Sequence, residues 1–377
     1  MIETSTDWTR AWKSDADKRG ITLSGYTLKE QGKSASCIKG KGCLNKHMRQ
    51  FHCSAVVLAA LVNFLHAQTI TEKFGAGTDQ FNMDFVEVGN PNNPKNTLSI
   101  GGVQYQGGQV NYLYRMSNYE VSRGMINSAN SLGGLGITMG DLSAFGGNTN
   151  LKPANEISWN EAARFVNWLN VSRGFAPAYK FSTSPADSGY SANSGFQNWS
   201  STDSGYSALN PYRNQNAVFF LPTIDEWYKS AFFNPNNNTY STYATRSNSA
   251  PAAVAGGTSG AVYNGQAGPA DINNAGAVSW FGTMAQSGNV WEWLESSNQY
   301  YDGSYGEGDF RALRGGAWGS SASQIASSGA SGAMAFSPDR DGEGLFGLRV
   351  AMVPEPSAIS LLALGGLALA INKRRRA

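Results

Sequence analysis

The chain has 377 residues, 41% of them hydrophobic and only 15% charged, with 44 Gly and 10 Trp. A disordered chain is charge-rich and poor in aromatics, so this one folds, as one large or two modest domains. Its net charge of +2 hides an acidic body: residues 1–67 hold ten Lys/Arg and five Asp/Glu, the tail from Pro354 holds four and one, and the stretch between keeps 15 basic and 21 acidic residues, a net of −6, which argues against nucleic-acid binding.

From the N-terminus, Met48–Arg49–Gln50 gives a short basic start, Cys53–Leu65 an apolar run, and His66–Ala67 a small-residue end. These are the parts of a secretory signal over 48–67, with cleavage expected after Ala67; a buried helix is the alternative. Residues 1–47 then read as an upstream extension from a start codon set too early. All three Cys (37, 43, 53) and all three His (47, 52, 66) precede residue 68, so the trimmed protein contains neither type.

The stretch 68–353 reads as one domain. Alternating apolar and polar residues predict half-buried strands over Phe81–Asn90 and Val110–Ser122. Ser158–Gly174 predicts a helix, with Ser158 as N-cap, Glu161 three residues on, an inward stripe of Ala162, Phe165, Val166 and Leu169, and Gly174 as stop. Leu221–Phe233 predicts a second, capped by Thr223 with Glu226 as box partner and facing inward through Ile224, Trp227, Tyr228 and Ala231. Between them, the Ser/Gly/Asn/Tyr-rich stretch Ser182–Asn210 carries DSGYSA twice and reads as an ordered surface insertion tethered by Tyr190, Trp199 and Tyr206. With a further irregular stretch, Asn234–Asn274, the class is α+β.

The tail, 354–377, opens with Pro354–Glu355–Pro356. About fifteen apolar residues, 357–371, follow, short of the roughly 20 that a permanent span needs. The closing cluster Lys373–Arg376 should stay cytoplasmic. This tail resembles the PEP-CTERM sorting signal of Gram-negative bacteria. The resemblance implies an exosortase-type processing enzyme as partner, transient residence of 357–371 in the inner membrane, and delivery to the cell surface or extracellular matrix. A plain tail anchor, the alternative, also puts the body outside the cytoplasm.

Six stretches in order carry a second resemblance: Asn118–Ser122 (NYEVS), NEISWNEAARFVNWLN, FLPTIDEWYKSA, FGTMAQSGNVWEW, Leu313–Gly319 (LRGGAWG) and Phe346–Ala351 (FGLRVA). Over roughly Phe81–Met352 the chain resembles the sulfatase-modifying-factor, or formylglycine-generating-enzyme, domain. The resemblance implies a variant of the C-type lectin fold, low in regular secondary structure and organised around calcium. The oxidases of that family hold copper with two cysteines just after a GGSW-like turn. Here the turn is Gly315–Trp318 (GGAW), and Ser320 and Ile325 occupy the matching positions. A protonated alcohol and a hydrocarbon cannot make a thiolate copper site. Other members use histidine-held iron, and this body has no His, so neither copper nor iron is expected. Acid–base chemistry would fall to carboxylates, Lys or Tyr. Asp339–Gly344 (DRDGEG) offers three acids near Arg340, weighed against a solvated surface loop.

Within GNVWEW, Glu292 stands between Trp291 and Trp293. The resemblance implies calcium here, with a side-chain oxygen from Glu292 and carbonyls from Gly288 and Val290. Ala285 stands where the family usually has another ligand. A second implied set is Asn264 and Asp271 through side chains, with the carbonyls of Gly265 and Asn273. From the residues alone, Glu292 can instead accept backbone N–H bonds or pair with an arginine such as Arg314 or Arg349, because an unpaired buried charge is too costly. Trp291, Trp318 and Ser320 mark a candidate ligand pocket, although Trp291, Trp293 and Trp318 also suit a core. The leading expectation is an exported, non-catalytic binding module for polysaccharide or peptide. Its alternatives are an enzyme of the same fold with other chemistry and a purely structural matrix protein.

Overall fold

The protein's structure, a computed structural model, describes residues 69–354 except 101–102, 298–304, 328–332 and 343. The expected extension, signal and sorting tail (1–47, 48–67 and 355 onward) lie outside the described residues. Among those described, no helix is long and apolar enough to cross a membrane.

β1 (Ile70–Phe74) and β2 (Phe81–Val88) pair antiparallel, with Ile70 opposite Phe85. β3 (Asn96–Ile100) and β4 (Val103–Gly107) form a hairpin, and β5 (Tyr114–Ser117) returns to pair with β2. Then come α1 (Arg123–Gly133), α2 (Trp159–Ser172), the two-residue strands β6 (Lys180–Phe181), β7 (Phe196–Gln197) and β8 (Phe219–Phe220), and α3 (Ile224–Phe232). A second short hairpin, β9 (Phe233–Asn234) and β10 (Thr239–Tyr240), leads into a long irregular stretch. The chain ends with β11 (Trp291–Ser297), β12 (Arg311–Arg314), β13 (Ala333–Phe336), β14 (Phe346–Leu348) and β15 (Ala351–Met352). One sheet has the order β1-β2-β5-β15-β8, the other β13-β12-β11-β14. Only Arg349 and Val350 separate β14 from β15, so the chain passes from one sheet to the other in two residues. This α+β arrangement, low in regular structure, agrees with the expected fold class.

Both predicted helices form where their local signals place them. Ser158 accepts from the Glu161 N–H while Glu161 reaches back, and Thr223 and Glu226 do the same for α3. Two otherwise unpaired backbone donors are satisfied at each helix start. The stripe of Ala162, Phe165, Val166 and Leu169 is wholly buried, each larger side chain contributing about 1.5–3 kcal/mol.

The strand expected over Val110–Ser122 is a correction: only Tyr114–Ser117 is strand. Upstream, the Val110 N–H turns to the Asn93 side chain at 2.9 Å. Downstream, Val121 bonds the Leu348 carbonyl and Ser122 caps α1 by accepting from the Met125 N–H. The sequence reading missed α1, which buries only Arg123, Ile126 and Ala129.

The Ser182–Asn210 insertion is ordered by α2. Arg164 donates to the carbonyls of Ala192 (3.0 Å), Thr183 (3.0 Å) and Ser194 (2.8 Å) while its guanidinium lies over Phe181 and Tyr190. Tyr190 and Trp199 tether it as expected, through the Leu135 and Ala178 carbonyls. Tyr206 is held by its backbone, its N–H bonding the Asp203 carbonyl. The two DSGYSA copies form the same turn: Ser184 and Ser200 each donate backbone N–H and hydroxyl to one oxygen of Asp187 and Asp203.

Candidate functional site

All seven residues of β11 are buried, so each face of the strand needs a partner. Trp291 and Trp293 point to one side, where the Trp293 indole donates to the Ile157 carbonyl at 2.6 Å. Glu292 and Leu294 point to the other, where α3 packs, and Leu294 joins a cluster with Ile224 and Trp227. The preceding turn requires Gly288: its φ is 119°, and a Cβ there would lie 2.3 Å from the Val262 carbonyl oxygen.

Glu292 binds the protein itself. Its Oε1 accepts from Arg349 Nη2 at 2.8 Å; its Oε2 accepts from Arg349 Nε at 3.0 Å and from the Trp227 indole at 2.6 Å. Arg349 spends its remaining donors on the Ser117 (2.8 Å) and Met284 (2.5 Å) carbonyls. Its place on the two-residue link between the sheets brings it to the carboxylate. Both groups have no exposed surface. Arg314 instead sits opposite Glu292 in the ladder.

Glu120, from the NYEVS stretch, is also buried here. It accepts from the Asn289 side chain and the Val290 N–H. Burial first, then the charge of Glu292, push its carboxyl up to about 8, with Arg349 acting the other way. One arginine thus faces two acids, and the second stays largely protonated at neutral pH. No spacing in the sequence links Glu120 to a residue some 170 positions away, and the sequence reading missed it.

The expected calcium set at Glu292 does not fit a divalent ion in this arrangement. At Glu292, a metal would have to displace Arg349, which already balances the charge. Ala285, where the resemblance implies a further ligand, is a buried residue with φ 70° and no donor atom in its side chain. In the second set, Asp271 is the one carboxylate and faces the Lys152 ammonium at 3.8 Å. Its other members, Asn264, Gly265 and Asn273, bring neutral amide and carbonyl oxygens, of the kind calcium takes beside carboxylates. The backbone N–H groups of Asn264 and Gly265 bond the Ser320 and Trp318 carbonyls, tying this loop to the GGAW turn.

In that turn, Gly315 and Gly316 have φ of 101° and 77°. A Cβ on Gly316 would meet Ile325 Cγ2 at 2.6 Å and Ser320 Cβ at 3.2 Å, so these two side chains come together over the glycine. The Ser320 hydroxyl accepts from the Ala317 N–H at 2.9 Å, and Ile325 is buried beside Tyr243 and Tyr263. Phe145 packs on Trp318 with ring centroids 5.8 Å apart, and Trp291 is 2% exposed. Trp318 and Ser320 are buried as well. The most prominent clefts among the described residues are lined by other residues.

The other interior acids also have structural partners. Glu295 accepts from Tyr179 (2.8 Å) and Asn210 (2.5 Å) and lies 3.4 Å from Arg213. Burial raises its pKa, with Arg213 opposing the shift. Glu226 caps α3 and lies 3.7 Å from Arg213. In the DRDGEG loop, Asp339, Arg340 and Asp341 are exposed, as a solvated loop requires.

The sequence matches the model of a family described as the sulfatase-modifying factor enzyme 1-like domain over residues 110–352, well over half of the chain. No curated protein matches it. Among solved structures, it is similar to variable protein 1 of Treponema denticola, with 18% identity, 76% of this chain and 100% of that one covered, and a TM-score of 0.50. It is also similar to the crystal structure of CarF, with 17% identity, coverage of 72% and 99%, and a TM-score of 0.47. At these identities the likeness is one of fold.

Proposed function

Because the chain belongs to the sulfatase-modifying factor enzyme 1-like family, we propose that it is an exported, surface- or matrix-directed member that binds a partner and performs no oxidation. The observation that carries this reading is the pair over Gly316. Ser320 and Ile325 stand where the resemblance puts two copper-holding cysteines, and both pack over Gly316. A hydroxyl engaged by a backbone N–H and a buried hydrocarbon offer no soft donor for Cu(I). Export rests on the basic–apolar–small order of 48–67 and on the Pro-Glu-Pro, apolar and basic order of 354–377. An exosortase-type enzyme would process the second of these. An extracellular polysaccharide is the partner that suits a matrix destination.

Two measurements test the reading. The purified chain, given Cu(I), oxygen and a cysteine-containing sulfatase peptide, should take up no stoichiometric copper and form no formylglycine by mass spectrometry. Turnover in that assay overturns the proposal. Conversely, the double variant Ser320→Cys with Ile325→Cys should gain about one tightly held Cu(I) per chain in a chelator competition, because two thiolates would then face each other over Gly316. Export is checked by the mass of the protein recovered from its own host, expected to begin at Gln68 and to lack the basic tail.

A further inference from the structure

A cleft of about 840 Å³ opens between α2, the end of α1 and the Ser182–Asn210 insertion. It lies within the roughly 300–1,000 Å³ of small-ligand sites and has no part in the GGAW or GNVWEW turns. We infer that this cleft is a binding site for a neutral oligosaccharide, held against the aromatic faces of Trp168, Phe181 and Trp199. The inference rests on the binding-module reading and gives it a place and a ligand class.

The cleft is preformed. Trp199 is fixed by its indole bond to the Ala178 carbonyl at 3.0 Å and by its backbone N–H on the Pro211 carbonyl at 2.9 Å. Trp168 stacks on Phe81 and Phe165 behind it. The wall carrying Phe181 is pinned by the three backbone carbonyls that Arg164 holds. A ligand therefore meets aromatic surface already in position and loses little to ordering the site.

Charge and hydrogen bonding select the ligand class. The two cations of the lining are committed: Arg164 to those carbonyls, and Lys180 to Asp203 at 2.8 Å. An anionic chain would find no unpaired positive partner and would meet the Asp187 carboxylate. Four polar groups remain free of any hydrogen bond within the described residues: the Trp168 indole N–H, the Ser182 and Thr183 hydroxyls, and the second oxygen of Asp187. Asp187 stays ionised, because the Ser184 N–H and hydroxyl hold its carboxyl below the usual range. A wholly apolar ligand would strip water from these groups and return nothing. Sugar rings offer apolar C–H faces for the aromatics and hydroxyls that both donate and accept for the rim.

The test uses the full chain in calorimetric titrations with neutral tri- to hexasaccharides of glucose, galactose, mannose and N-acetylglucosamine. At least one should bind, unaffected by a calcium chelator. Trp199→Ala should weaken it at least tenfold, and Asp187→Asn and Thr183→Val at least threefold each. The last two are small surface changes that leave the Trp199 anchor intact, so they decide the matter if Trp199→Ala does not fold. Saccharide binding indifferent to all three variants would remove the site from this cleft while leaving a binding module. Binding of only anionic saccharides or apolar peptides, or of no neutral saccharide, would overturn the ligand class. Thiol oxidation in the copper assay would bring down the binding-module reading separately.

Discussion

Burial strips water from the Glu292 carboxylate, and Arg349 and Trp227 return hydrogen bonds to both of its oxygens. Removing one partner of such a pair leaves a naked charge in the core. Arg349→Met should therefore lower unfolding free energy by about 3–5 kcal/mol in urea titrations, and adding Glu292→Gln should recover much of that loss. A double variant no more stable than Arg349→Met would mean that the loss lies in the Ser117 and Met284 carbonyls instead. Glu120 gives a pH signature. Its folded carboxyl is raised from 4.5 to about 8, so the folded state holds a proton that the unfolded chain has released. That contribution is fully present below about 4.5 and is lost as pH rises toward 8. Stability should fall across this window by up to about 4 kcal/mol from this one group. Denaturant midpoints of wild type and Glu120→Gln between pH 5 and 9 measure it, and parallel curves would discount Glu120 as the source.

At the scale of elements, α2 and α3 were legible because cap and apolar stripe both lie within one helix length. Thr223→Ala removes the side chain that holds the Glu226 N–H, and should cost about 1 kcal/mol, within 0.5–2, by thermal or denaturant unfolding. Glu226→Ala should cost more, because that carboxylate also accepts from Tyr112 and faces Arg213. The segment 110–122 reads as strand because its alternation is real, but period-two patterning does not say which backbone pairs with it. Val121 finds the Leu348 carbonyl, and the ladder stops. Helix α1 stayed hidden because Gly, Ser and Asn fill most of its surface and a single Ser cap opens it.

Across the whole molecule, Arg164 joins the insertion to the body through three of its carbonyls, beside the Tyr190 and Trp199 tethers. Arg164→Ala should speed amide exchange over 182–194 more than tenfold while α3 keeps its protection. It should also weaken ligand binding in the cleft that the insertion walls. Unchanged exchange would show that Tyr190 and Trp199 suffice as tethers. The α+β class, both capped helices, the loop-rich character and the absence of Cys after the GGAW turn were written in local sequence, because caps, periodicity and residue chemistry act over a few positions. Which arginine answers Glu292, why Glu120 stays protonated, and where an open cleft lies were not. Each depends on residues brought together from different parts of the chain, by a two-residue crossing between sheets or by a helix facing an insertion. Electrostatic energy depends on distance in space and on the water excluded, and only the folded chain sets either one.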